Sequence, residues 1–104
     1  MQIDAAKARR ESMRWNILLI LNTARPVGAH ESLVLATLQG VYPDASPLEL
    51  RRELEYLSDR SLVELKKDPS GPWSADLTHL GVDVAEYTVE VFPGIARPTK
   101  YWAG

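Results

Sequence analysis

Residues 46–77 constrain the fold more tightly than any other part of the sequence, because the apolar period changes there once and abruptly. Ser46-Pro47-Leu48-Glu49 brings together a capping hydroxyl, a proline suited to the first helical position and a glutamate placed to complete a capping box. A helix starts there. Leu50, Leu54 and Leu57 follow at steps of four and three and give it one narrow apolar seam, leaving Arg51, Arg52, Glu55 and Ser58 outside. From residue 61 to 67 the period drops to two, Asp68-Pro69-Ser70-Gly71-Pro72 is dense in turn formers, and residues 73–77 suit a returning strand. The segment reads as a helix followed by a β-hairpin with a polar tip.

The flanking segments supply the other helices. Residues 4–23 lack Gly and Pro, Asp4 is a suitable N-cap, and Ala6, Met13, Ile17, Ile20 and Leu21 mark one helical face before Arg25-Pro26-Val27-Gly28 ends it. Residues 31–39 suit a short, largely buried helix through Leu33, Val34, Ala36, Thr37 and Leu38, with Gly40 placed for a left-handed cap. Thr78 can cap a final helix over residues 79–87, with Leu80, Val84 and Tyr87 on one face. Beyond it Pro93, Gly94 and Pro98 forbid a regular element, while Ile95, Tyr101 and Trp102 are too apolar for a solvated end, so the tail should dock. The expected fold is mainly α with a small β-hairpin: three helices, the hairpin and a closing helix. The 104 residues allow one domain, drawn at 1–92, with an extended tail at 93–104.

Composition removes several classes of function. Without cysteine there are no disulfides, thiolate metal sites or cysteine nucleophiles. No apolar run approaches the roughly 20 residues of a membrane span, so no membrane association and a cytoplasmic location are expected. His79 and Asp83 stand four apart on the last helix but lack a third ligand, and no nucleophile elbow, paired-carboxylate site or phosphate-cradling glycine loop occurs. No catalysis, cofactor, metal or small-molecule ligand is expected. Twelve Lys and Arg against fourteen Asp and Glu give a net charge of −2, so any nucleic acid must be held by a local patch.

Residues 49–65, ELRRELEYLSDRSLVEL, followed by the hairpin and by DLTHLGVDVAEY at 76–87, resemble the recognition helix, wing and post-wing helix of bacterial winged helix-turn-helix regulators of the ArsR and MarR type. Leu62-Val63 corresponds to the opening of the wing strand, and the Leu-Thr-x-x-Gly of residues 77–81 to the start of the next helix. WSADLTHLGVDVAE at 73–86 and PGIARP at 93–98 are similar, more narrowly, to the small winged-helix proteins of Mu-like transposable phages and prophages. The resemblance implies a double-stranded DNA-binding homodimer in a bacterial host cell, acting as a transcriptional regulator or a DNA-associated assembly factor.

It also places the third helix in the major groove, where Ser46, Pro47, Leu48, Arg51 and Arg52 would meet DNA. Arginine suits guanine or phosphate, and Lys66 and Lys67 would reach the backbone from the wing. The charge of this helix argues the other way, since residues 47–60 hold three Arg against four acids. Lys7, Arg10 and Arg14 share a face of the first helix and, with Arg97 and Lys100 of the tail, are further candidates for backbone or partner contact. Trp15, Leu18 and Leu19 give the first helix a second apolar side, which with Val84 is expected to form the dimer interface. The alternative is a winged-helix module that binds protein within a phage complex without touching DNA. A continuous positive stripe through Arg51, Arg52, Lys66 and Lys67 would favour DNA, and a broken one would favour protein.

Overall fold

The structure, a computed structural model, describes residues 3–100. Asp4 accepts a hydrogen bond from the Lys7 amide and starts α1 (Ala5–Thr23). After Gly28, whose φ of 81° a side chain would resist, the chain makes a two-residue strand, β1 (Ala29–His30), and enters α2 (Glu31–Leu38). The Ser46 hydroxyl caps α3 (Pro47–Asp59) by accepting from the Glu49 amide. Strands β2 (Val63–Lys67) and β3 (Trp73–Leu77) form the hairpin, and Thr78 caps α4 (His79–Ala85) through the Gly81 amide. Among the described residues the result is four helices and a three-stranded antiparallel sheet of order β1-β3-β2. The hairpin is thus enlarged by β1, which pairs Ala29 with Ala75 and His30 with Ser74. Two residues are too few to show a period, which is why β1 has no sequence signal.

Helix α1 is the centre of the packing. It lies against α2, α3, α4 and β3, and Met13, Ile17, Leu18 and Leu21 are wholly removed from solvent. Its second apolar side is consumed within the chain: Trp15 meets the Tyr87 ring edge-on at 5.7 Å, and Leu18 and Val84 belong to the same core. The expected dimer interface of Trp15, Leu18, Leu19 and Val84 is therefore corrected, since of the four only Leu19, at 38%, is exposed. Helix α2 is also less buried than its composition suggests. Val34 and Leu38 face the core, whereas Leu33 is 58% exposed. Gly40 does not adopt the left-handed cap; the chain leaves α2 through the Tyr42 amide, which bonds the Leu38 carbonyl at 2.7 Å.

Two helices end in the same unanticipated way. After α3, Ser61 takes a φ of 61°, its amide bonds the Ser58 carbonyl, and the Leu62 amide bonds that of Leu57. After α4, Tyr87 at φ 64° does the same with Val84, and Thr88 with Asp83. Both are Schellman stops with a side chain where glycine is usual. They shorten the strand expected from residue 61 and the helix expected to reach residue 87.

The tail docks on its own domain. Ile95 is buried, the Ala96 amide bonds the Glu11 carbonyl at 3.1 Å, and the Tyr87 hydroxyl donates to the Pro98 carbonyl at 2.8 Å. Tyr101 and Trp102 lie outside the described residues.

Because Leu18 is core, Leu18→Ala should cost about 2 to 5 kcal/mol in denaturant unfolding. The loss relative to the parent should be the same at every protein concentration; a concentration-dependent loss would return Leu18 to a subunit contact.

Candidate nucleic-acid interface

Helix α3 turns Leu50, Glu53, Leu54 and Leu57 inward, which by helical spacing leaves Leu48, Arg52, Glu55 and Asp59 as its outer strip. Leu48 is 61% exposed, and Pro47 and Arg52 are exposed beside it. The hydroxyl of Ser46 is occupied by the cap. The second half of the expected capping box goes elsewhere: Glu49 receives two hydrogen bonds from the Arg9 guanidinium, at 2.7 and 3.0 Å, and Arg9 also bonds Asp44 at 2.9 Å. The first turn of α3 is thereby tied to α1.

The hairpin meets the other flank of α3 through Trp73. Arg51 lies over its indole ring at 4.4 Å, and the Lys67 ammonium lies 4.8 Å from the same ring. Each cation already has a carboxylate. Arg51 makes a forked pair with Glu31 at the start of α2, at 2.8 and 2.6 Å, and Lys67 bonds Glu55 at 2.5 Å. Lys66 is exposed, with Glu64 two residues away on the same strand face. Among the described residues neither Arg52 nor Lys66 has an ion pair. The stripe through Arg51, Arg52, Lys66 and Lys67 is consequently interrupted by Glu31 and Glu55.

Arg14 is corrected from a surface contact to a core residue: its guanidinium bonds Glu53 at 2.7 Å and the Gly94 carbonyl at 2.8 Å, and stacks on Tyr56 at 3.4 Å. Arg97 is half-buried and turned towards its own domain, since it donates to the carbonyls of Val84 and Val89 at 3.1 and 2.8 Å while covering the Tyr87 ring. Lys7, Arg10 and Lys100 are exposed. Glu31 and the pairings of Arg51 with Glu31 and of Arg9 with Glu49 are what sequence reasoning missed at this surface. Arg51 and Glu31 stand 20 residues apart and Arg9 and Glu49 stand 40 apart, so no local spacing could reveal either pair.

Among the described residues no group of three His, Cys, Asp or Glu is placed to hold a metal ion, and no helix is long and apolar enough to cross a membrane. No protein-family model and no curated protein matches the sequence. The chain is similar to the 1.70 Å crystal structure of a candidate DNA-binding protein from Ralstonia eutropha JMP134, at 20% identity and a TM-score of 0.64, covering 86% of this chain and 100% of that one. The likeness is one of fold.

The pairs carry two measurable consequences. The arginine partners hold the carboxyls of Glu31 and Glu49 below their ordinary 4.5 and that of Asp44 below 3.8. Their stabilising effect is fully present above those ordinary values and is lost as pH falls through the lowered ones, so acid unfolding should begin below about pH 4.5. Replacing Glu49 by Gln should flatten that acid limb. Separately, Arg51→Ala should lower the thermal midpoint by removing a forked pair and a stacked cation, whereas Arg52→Ala should stay within about 0.5 kcal/mol of the parent.

Proposed function

We propose that the chain is a winged helix-turn-helix protein that binds double-stranded DNA, with α3 as recognition helix and β2–β3 as wing. The observation that carries this reading is the outer strip of α3, where Leu48 and Arg52 are exposed and Arg52 has no ion pair among the described residues. Also exposed are Lys67 beside them and Lys66 on the opposite face of β2. In this reading Leu48 meets thymine methyl groups or sugar, Arg52 reaches a base edge or phosphate, and the two lysines follow the backbone. The likeness to a candidate DNA-binding protein supports the same assignment.

The reading extends to a non-enzymatic role as a regulator or DNA-associated assembly factor of a phage or prophage, in the bacterial cytoplasm. It includes a homodimer, because two copies would double a sparse set of phosphate contacts and place two α3 helices about one turn of DNA apart. The second reading, a protein-binding module, is favoured by one observation: Arg51 and Lys67 are already paired with carboxylates.

Duplex binding measured by fluorescence anisotropy across a salt series separates the two. DNA binding predicts affinity that falls with salt with a log-log slope of roughly −2 per protomer, the value for about two unpaired cations. Arg52→Ala should weaken binding without loss of fold. No binding at low salt by folded protein would leave the protein-binding module.

A further inference from the structure

We propose that Glu31 and Glu55 are resident counterions that compete with DNA phosphate for Arg51 and Lys67, and so set the affinity and salt dependence of this surface. The inference rests on the DNA-binding reading above. Glu31 offers two carboxylate oxygens to Nε and Nη2 of Arg51, in the forked arrangement a phosphate would take. Its carboxyl is held below the ordinary glutamate range, chiefly by that arginine, and therefore remains charged at neutral pH. The guanidinium is not sealed in: the Arg51 side chain keeps 34% of its exposure, against 16% for Glu31. Glu55 and Lys67 are both on the surface, at 43% and 48%.

The physical consequence follows from what makes DNA binding favourable. Counterions leave DNA when positive charge arrives that is not already neutralised. A cation that brings its own carboxylate contributes little, so Arg51 and Lys67 count for less than Arg52 and Lys66. Trp73 adds to the effect because it holds both cations over one ring, next to their partners, and restricts how far either can reach towards phosphate. Removing the carboxylate charge while keeping the side-chain shape should convert each paired cation into a phosphate contact.

The test compares Glu31→Gln, Glu55→Gln and the double variant with the parent on one random duplex, across a salt series, after circular dichroism has confirmed the fold. Glu55→Gln is a surface change and keeps the test open even where Glu31→Gln is poorly folded. Glu90→Gln, an exposed change beyond α4, alters net charge equally and serves as the control. Each interface variant should steepen the log-log slope by about 0.9 and tighten binding at 50 mM salt on the order of tenfold, with both effects accumulating in the double variant. Glu90→Gln should leave the slope unchanged. Parental slopes in both interface variants, or the same change in Glu90→Gln, would overturn the counterion role while leaving DNA binding intact. No duplex binding by the parent or any variant would instead remove the DNA-binding reading, and the inference with it.

Discussion

Arg14 carries a charged group into the packed region between α1 and α3, and the arrangement of the molecule follows from the groups that gather around it. Its side chain is 11% exposed and that of Glu53 is 4%, so each buried charge is compensated by the other. The Gly94 carbonyl takes a further donor, and the Tyr56 ring covers the guanidinium face. Removing one member of such a pair typically costs about 3 to 5 kcal/mol, because the other is left buried and uncompensated. Together with Arg9 and Glu49, it gives α1 and α3 the same sense along their contact, with residues 9 and 14 meeting 49 and 53 in order. The direction in which α3 presents its outer strip is thereby decided from inside the protein.

Adjacent arginines illustrate how finely this division works. Arg51 and Arg52 are separated by 100° around α3, enough to point one at Glu31 and Trp73 and the other at solvent. The ion pairs among the described residues accordingly range from buried to open. Arg14–Glu53 is shielded from salt by burial, whereas Lys67–Glu55 is open to it. Ionic strength therefore acts on the outward surface and leaves the core pair largely unaffected.

Most of the helices and the hairpin were legible because their signals are local. Ser46, Thr78 and Asp4 cap the helices their positions suggest, and the turn cluster at 68–72 joins the two strands it separates. What escaped was non-local or disguised. The Schellman stops are made by Ser61 and Tyr87 rather than glycine, so the residue types gave no warning. A left-handed tyrosine costs on the order of 1 kcal/mol, offset here by contacts of its ring with Trp15 and of its hydroxyl with Pro98. The second apolar side of α1 was visible in Trp15 and Leu18, but its partners, α4 and the tail, lie so far along the chain that an intermolecular interface was the natural expectation. At the candidate interface the residue types were legible and their pairing was not.

The docked tail has a bearing on how the protein is made. Arg14 and Gly94 are 80 residues apart, yet each completes the surroundings of the other. A ribosome delivers α1 first and residues 93–98 after all the other elements described, so for most of synthesis the guanidinium of Arg14 lacks one of its acceptors and the Tyr87 hydroxyl lacks the Pro98 carbonyl. Contacts spanning so much chain are among the slowest to form, because the intervening loop must be closed before they contribute. Docking of residues 93–98 thus belongs to the long-range contacts that close the core, unlike the local ones that form its helices and hairpin.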